Sequence, residues 1–268
     1  MIRRSLFFIF LFLPFMIVVL PIQAIIVALN LPIWTVIPRL FLKMGALFLG
    51  IRVKTIGAPA TGRPTLLVSN HVSWTDIVAI GSVAAVAFVA KSEISRWPVV
   101  SVLANLQKTI YVDRNRRAGT GRTAEAMGKH MATGKPVVLF AEGQSDIGTH
   151  VLPFRSALVG AAQHAMEAGG ATEVNIQPLT IAYTKLQGLP VSRNERSLIA
   201  WIKSKSVKQN LREILSGPVK DVTVAFGEPQ VLKHGADRKA ITRAAESDVR
   251  KTLVALNRGL ALPRSMQV

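Results

Sequence analysis

The stretch TLLVSNHVSWTD, residues 65–76, decides which fold the chain can adopt. Its first five residues form a short, mostly apolar run, which is typical of a buried strand, and the polar pair Asn70-His71 follows at once. The sequence from Asp76 to Ala85 then favours a helix. A strand followed so closely by a helix predicts one unit of an α/β domain.

The same alternation of strands and helices continues to the end of the chain. Predicted strands cover residues 86–90, 109–112, 136–141, 174–182 and 219–226, and predicted helices cover 97–106, 118–132, 156–168 and 237–260. Gly134 follows the second of these helices and is suited to cap its C-terminal end. We therefore expect an α/β fold, a mixed and largely parallel sheet flanked by helices, over residues 55–268.

The N-terminal region is strongly apolar. No charged residue occurs from Ser5 to Pro38. A membrane-spanning helix needs about 20 such residues, whereas the apolar core of a cleavable signal peptide has about 7–15. Prolines within the run and basic residues on both sides leave one span and a helical hairpin open. We predict a hydrophobic helical membrane anchor over residues 1–54, in which residues 40–51 could lie along the interface.

The net charge of +18 predicts an anionic partner. The first acidic residue is Asp76, so the N-terminal quarter of the chain is purely basic and apolar, as expected beside an anionic membrane surface. Nucleic acid is disfavoured as the partner, because aromatic residues make up only 6% of the chain and we find no recognition helix or aromatic platform. The absence of cysteine excludes thiolate nucleophiles and cysteine-ligated metals.

Three predicted strands are each followed by a polar cluster. The clusters are Asn70-His71, Asp113-Arg114 and Glu142-Gly143. In open α/β sheets, ligands bind beyond the carboxyl ends of the strands, so these side chains are expected at one edge of the sheet. Arginine there is suited to phosphate, because its guanidinium offers two parallel donors. Their convergence predicts an active site.

His71 and Asp76 are spaced so that the carboxylate can reach one imidazole nitrogen, if His71 ends the strand and Asp76 lies in the first helical turn. The carboxylate would fix the tautomer and leave the other nitrogen free to accept a hydroxyl proton. Taken alone, this spacing favours a simpler interpretation, a helix start with a hydrogen-bonded histidine at which the acidic residue interacts with the helix dipole. The other two polar clusters favour the catalytic interpretation.

Four motifs resemble those of the glycerolipid (lysophosphatidic acid) acyltransferase family. They are NHVSWTD (70–76), YVDR (111–114), FAEG (140–143) and IQPL (176–179), and their order and spacing agree with the family. The third motif departs from the usual Phe-Pro-Glu-Gly-Thr-Arg-Ser, because Ala141 replaces the proline and the arginine is missing from Gln144-Ser145-Asp146. Arg155 is a nearby basic residue that could substitute for it.

The resemblance implies an O-acyltransferase. His71, oriented by Asp76, would remove the proton from a lysolipid hydroxyl, which would then attack the thioester of acyl-CoA or acyl carrier protein. No metal, and no cofactor beyond this acyl donor, is expected. The residues that the resemblance assigns to substrate binding are Asn70, Ser73, Arg114, Glu142, Gly143, Arg155 and Pro178.

The acceptor that the resemblance implies first is 1-acylglycerol-3-phosphate, whose acylation forms phosphatidic acid. The expected location is the bacterial inner membrane, with the catalytic domain facing the cytoplasm. The altered third motif keeps another lysolipid, such as lyso-ornithine lipid, open as the acceptor. A membrane-bound serine esterase or phospholipase using Ser145 is a further alternative, although the sequence lacks the closing glycine of a nucleophile elbow.

Overall fold

The computed structural model describes residues 2–112, 120–156 and 170–262. The helices in these ranges are α1 (Ile2–Phe7), α2 (Leu13–Ala28), α3 (Val36–Leu49), α4 (Thr75–Val83), α5 (Pro98–Leu106), α6 (Thr120–Ala132), α7 (Val207–Ser216) and α8 (Arg238–Arg258). A π-helical turn, Phe8–Phe12, joins α1 to α2, and short 3-10 helices cover Ser92–Arg96 and Glu195–Leu198. The predicted helix over 156–168 lies, apart from its first residue, outside the described residues.

The strands in the described ranges form one sheet. They are β1 (Ile51–Ile56), β2 (Thr65–Ser69), β3 (Ala87–Lys91), β4 (Ile110–Val112), β5 (Val137–Phe140), β6 (Glu173–Leu186), β7 (Leu189–Pro190), β8 (Lys220–Phe226) and β9 (Gln230–Lys233). The main order is β1-β8-β6-β2-β5-β3-β4. β6 runs antiparallel to β7, β8 and β9, and the other pairs are parallel. The predicted mixed, largely parallel sheet is therefore confirmed.

Helices cover both faces of the central strands. All five residues of β2 are buried: Leu67 faces a cluster that includes side chains of α3 and α4, while Leu66 and Val68 face one that includes side chains of α6 and α8. Burial on both sides explains why β2 and β5 read as continuous apolar runs instead of alternating patterns. Because β2 and β5 are parallel neighbours, with Ser69 opposite Phe140, the polar residues that follow them meet at one edge.

Pro178 lies inside the long central strand β6. The neighbour of β6 on one side changes here, since Ile176 is the last residue paired with β9 and Leu179 the first paired with β8. Proline has no N–H to donate to a neighbouring strand. Between the end of the β9 pairing and the start of the β8 pairing, no such N–H is needed. Its carbonyl accepts a hydrogen bond from the N–H of Gly227 at 2.8 Å. Pro178 thus marks the exchange of one partner strand for another.

The N-terminal region forms the predicted hydrophobic helix. In the part of the chain that the structure describes, one helical segment is long and apolar enough to cross a membrane: Arg4–Ala28, in which an 18-residue window has a mean hydropathy of 2.7. Apolar side chains such as Phe10 and Ile17 are exposed on it, at 74% and 66%. Only 11% of this 18-residue window is buried inside the protein. These features support membrane association, and the extent of the anchor, residues 1–54, stays a prediction.

Two polar side chains fasten this helix to the sheet domain near both of its ends. The Arg4 guanidinium donates to the carbonyl oxygens of Leu215 and Gly217, at the C-terminal end of α7. The Gln23 amide donates to the carbonyl oxygen of Leu106, at the end of α5. At 1.5 Å per residue the two attachment points are about 28 Å apart along the helix. The helix therefore lies along the domain and presents its other face outward.

The predicted boundary between residues 54 and 55 falls inside a strand. β1 pairs in parallel with β8 from Ile51 to Ile56, so these residues belong to the sheet domain. The strand has a period-two sequence pattern, in which the exposed Arg52 and Lys54 alternate with Ile51 and Val53, and the predicted anchor includes its first four residues. Before it, α3 buries Leu42 against the domain and leaves its outer face exposed.

We predict that replacing Gln23 by leucine destabilises the fold. The Gln23 amide is buried and donates to the carbonyls of Trp34 at 2.8 Å and Leu106 at 2.7 Å. Leaving one buried and one partly buried carbonyl without donors should lower the free energy of unfolding by about 1–3 kcal/mol. Denaturation of the purified protein in detergent measures this change. The control is Ile25→Leu, at an exposed position two residues away, and equal stability of the two variants would contradict the prediction.

Candidate active site

His71 is the second residue after β2, and hydrogen bonds and ring stacking fix its position. Its N–H donates to Glu142 Oε2 at 2.8 Å, and its carbonyl accepts from the N–H of Asp146 at 2.9 Å. Its Nδ1 lies 2.8 Å from Asp76 Oδ2, and its ring stacks on Phe140 with the centroids 4.0 Å apart. Nε2 has no hydrogen-bond partner among the described residues, and the side chain is 19% exposed. The imidazole is thus fixed in orientation with one nitrogen open.

The Asp76 carboxylate lies in the first turn of α4 and is fully buried. Besides His71, its Oδ2 accepts from the N–H groups of Val72 and Ser73, at 2.7 and 3.0 Å. Its Oδ1 accepts from the hydroxyl of Tyr183 at 2.8 Å. An ionised carboxylate only accepts hydrogen bonds, so Nδ1 of the imidazole carries the proton and Nε2 has the free lone pair. The hydrogen bond that the sequence predicted is therefore present.

Tyr183 is a residue of this site that sequence reasoning missed. It is buried, and its hydroxyl also lies 2.6 Å from Thr75 Oγ1. Burial and the negative charge of Asp76 raise the pKa of Tyr183 well above its usual value, so it remains a protonated donor. The predicted strand ended at Ala182, four residues before the end of β6 at Leu186, and so left out Tyr183. Two features of the sequence point to Tyr183. The alternation of β6 places it on the same face as the buried Ile181, and the hydroxyl of a buried tyrosine needs a hydrogen-bond partner.

Glu142 is enclosed on the other side of His71. Its Oε2 accepts from the N–H of His71 and its Oε1 from the N–H of Leu152, each at 2.8 Å. Burial raises the pKa of the Glu142 carboxyl to about 8, and the two N–H donors lower it in part. Because both oxygens already bind backbone groups, this side chain is placed to orient His71. The substrate contact expected of it stays a prediction.

Several other residues assigned to substrate binding are buried in the domain. The Asn70 amide donates to the carbonyl of Ile181 and accepts from its N–H, at 3.0 and 2.9 Å, which ties the end of β2 to β6. The Ser73 hydroxyl is buried and has no hydrogen-bond partner in the described parts of the chain. Pro178 is buried within β6. Arg114 lies outside the described residues, so its role stays a prediction.

Gly143 and Arg155 lie against each other at the third motif. Gly143 has a φ of +74°, which favours glycine, and a Cβ there would lie only 2.8 Å from Arg155 Nε. The N–H of Arg155 donates to the carbonyl of Ala141 at 2.9 Å, which holds the segment beside the end of β5. The guanidinium is exposed and has no hydrogen bond or ion pair among the described residues. The structure therefore brings an available arginine to the motif whose own arginine is missing.

Ser145 lacks the surroundings of a nucleophile. Its hydroxyl donates to the carbonyl of Trp201, whose N–H in turn donates to the carbonyl of Val72 at 3.0 Å. Among the described residues no histidine forms a hydrogen bond with Ser145, so the base that would activate it is not in place. This arrangement argues against the esterase alternative.

Comparison with known proteins identifies the family. A family model described as Acyltransferase matches residues 50–182. The lyso-ornithine lipid O-acyltransferase of Brucella abortus is 40% identical over 229 residues, which cover 85% of this chain and 86% of the relative. The chain belongs to the acyltransferase family. The resemblance predicted from the four motifs is confirmed, because the matched range contains all of them and begins next to β1.

Two further similarities define how this acyltransferase relates to others. The 1-acyl-sn-glycerol-3-phosphate acyltransferase of Neisseria gonorrhoeae is 35% identical over 128 residues, or 47% of this chain and 48% of the relative. The crystal structure of the 1-acyl-sn-glycerophosphate (LPA) acyltransferase PlsC from Thermotoga maritima has a TM-score of 0.55. Its sequence identity is 22%, with 81% of this chain and 77% of that chain covered. The similarity to the Thermotoga maritima structure supports the fold alone.

We predict that Glu142→Gln lowers turnover without weakening acceptor binding. An amide presents one acceptor oxygen and one NH2 group, so one of the two N–H donors would lose its partner and His71 would shift. Displacing a catalytic group by about 1 Å can cost about 10²-fold in rate. We therefore expect kcat to fall by up to about 10²-fold while both Michaelis constants stay near wild type. The control is Glu93→Gln at an exposed position. A rise in the acceptor KM with unchanged kcat would instead assign Glu142 to acceptor binding.

Proposed function

We propose that the protein transfers a fatty acyl group from a thioester to the free hydroxyl of a lysolipid, with His71 as general base. The observation that carries this proposal is the 2.8 Å hydrogen bond between His71 Nδ1 and Asp76, which leaves Nε2 as an open acceptor. Nε2 removes the proton of the acceptor hydroxyl, whose oxygen forms the new ester bond at the thioester carbonyl. The carbon–sulfur bond breaks, and the imidazolium returns the proton to the leaving thiolate.

Asp76 contributes to this reaction through the imidazole. It holds the tautomer with the proton on Nδ1, and its negative charge stabilises the imidazolium that forms while the hydroxyl attacks. The hydrogen bond from Tyr183 keeps the carboxylate in place. The acceptor oxygen attacks the thioester directly, so the chain itself never carries the acyl group. The donor is acyl-CoA or acyl carrier protein, and no other cofactor takes part.

Lyso-ornithine lipid is the acceptor that we favour. The lyso-ornithine lipid O-acyltransferase of Brucella abortus matches over 85% of this chain, whereas the glycerophosphate enzyme of Neisseria gonorrhoeae matches over 47%. The third motif also lacks an arginine suited to a phosphate headgroup. These observations reverse the order expected from the motifs. The second candidate is 1-acylglycerol-3-phosphate, which the 35% identity to the Neisseria enzyme supports.

The proposed place of action is a membrane surface. The exposed apolar face of the N-terminal helix and the net charge of +18 both favour an anionic lipid bilayer. A lysolipid would then reach the site from the bilayer, and a water-soluble thioester from the other side. We propose the bacterial inner membrane, with the catalytic domain on the cytoplasmic face, where both thioester donors are found.

We predict that lyso-ornithine lipid is the preferred acceptor. The purified protein in detergent is given lyso-ornithine lipid or 1-acylglycerol-3-phosphate, with labelled acyl-CoA or acyl carrier protein, and kcat/KM is measured for each pair. The lyso-ornithine lipid should give the higher value. Ser145→Ala should retain activity, because its hydroxyl binds only a backbone carbonyl. Preference for the phosphate acceptor would reject the favoured substrate, and inactivity of Ser145→Ala would revive the esterase alternative.

A further inference from the structure

Beside His71 lie two side chains of opposite charge that the mechanism does not use, Asp146 and Arg155. Asp146 Oδ2 is buried and has no hydrogen-bond partner in the described parts of the chain, although the side chain is 24% exposed. The imidazole of His150 approaches it, but Nδ1 is 3.6 Å from Oδ2, which is too far for a hydrogen bond. A carboxylate oxygen withdrawn from water without a donor is costly unless a ligand provides one.

Both residues lie near the backbone of His71, Asp146 by a direct hydrogen bond and Arg155 through its contact with Gly143, the neighbour of Glu142. The N–H of Asp146 donates to the carbonyl of His71, and the guanidinium of Arg155 lies against Gly143. Gly143 and Asp146 are three residues apart in the chain, so their Cα atoms are at most about 10 Å apart. The loop over residues 142–146 therefore carries the Asp146 carboxylate at one end, and the guanidinium of Arg155, which comes from a later segment, lies against its other end. His71, held by Glu142, lies next to both ends.

We propose that Arg155 and Asp146 form a binding site for a zwitterionic amino-acid headgroup. Arg155 binds the carboxylate of the headgroup, and Asp146 binds its ammonium group. The site rests on the proposed acceptor, because ornithine that is linked to a fatty acid through its α-amino group keeps a free carboxylate and a side-chain ammonium, joined by a short alkyl chain. The two protein groups match this pair in charge and in hydrogen bonding, since guanidinium only donates and carboxylate only accepts.

The departure of the third motif from the family pattern gives this site its selectivity. The pattern Glu-Gly-Thr-Arg-Ser places arginine and serine where this chain has Ser145 and Asp146. The local charge at these two positions therefore changes from positive to negative. A lysolipid with a phosphate headgroup still gains Arg155 but meets the like charge of Asp146, whereas an ornithine headgroup pairs with both. Specificity of this kind combines an attractive contact for one ligand with a repulsive one for another.

The test compares three acceptors in the full-length protein. They are lyso-ornithine lipid, the same lipid with its side-chain amine acetylated, and 1-acylglycerol-3-phosphate. Asp146→Asn should raise KM for lyso-ornithine lipid by roughly 10–150-fold, the range for a charge-assisted contact, and should leave KM for the other two unchanged or lower. Arg155→Gln should raise KM for all three, because each carries an anionic group. Glu228→Gln, on an exposed loop residue, is the matched control.

The outcomes separate this site from the proposed function. If the wild type acylates lyso-ornithine lipid but Asp146→Asn changes KM equally for all three acceptors, the headgroup site is rejected and the proposed function stands. If the wild type uses only 1-acylglycerol-3-phosphate, the proposed acceptor fails and this site fails with it. Thermal unfolding of each variant monitors folding. Asp146→Ser, which restores the residue type of the family pattern, repeats the measurement if the asparagine variant does not fold.

Discussion

The buried carboxylate of Asp76 is the interaction on which the rest of the site depends. An ionised group that is taken out of water without partners costs several kcal/mol. Here it accepts hydrogen bonds from the backbone after β2, from the imidazole of His71 and from the hydroxyl of Tyr183 on β6. Because all these donors must be present at once, the carboxylate fixes the loop, the imidazole and the strand relative to one another. The geometry for proton removal is therefore established before substrate binds.

The sheet topology makes this arrangement possible. Two parallel neighbours, β2 and β5, end at the same edge, so Glu142 reaches the N–H of His71 while Asp76 reaches its imidazole. One carboxylate orients the backbone of the histidine, and the other orients its ring. Asn70 then joins this edge to β6 through both polar atoms of its amide. Asn70 and Glu142, first assigned to substrate binding, thus hold the base in place, whereas Arg155 and Asp146 have free hydrogen-bonding capacity among the described residues.

The parts predicted from the sequence are those with local signals. The strand that ends at Ser69, the helix that starts near Asp76 and the spacing of the four motifs all lie within short windows. The edge strand β1 has such a signal too, because Arg52 and Lys54 alternate with Ile51 and Val53, but the apolar run before it led to its first four residues being assigned to the anchor. Long-range hydrogen bonds leave no sequence pattern: Arg4 bonds to a carbonyl 211 residues away, and Gln23 to one 83 residues away. Tyr183 was missed because its role depends on a hydrogen bond to Asp76, and the sequence does not show that these two residues meet in the folded chain.

The central claim is that His71 is the general base for a direct transfer of the acyl group. It is tested most directly by single-turnover acylation of lyso-ornithine lipid by His71→Ala in detergent, beside the wild type, with both followed by intact-protein mass spectrometry. The account predicts a rate lower by about 10²–10⁴-fold, a folded variant, and no acylated protein in either sample. A near-normal rate in the variant, or acyl-protein accumulating in the wild type, would contradict it.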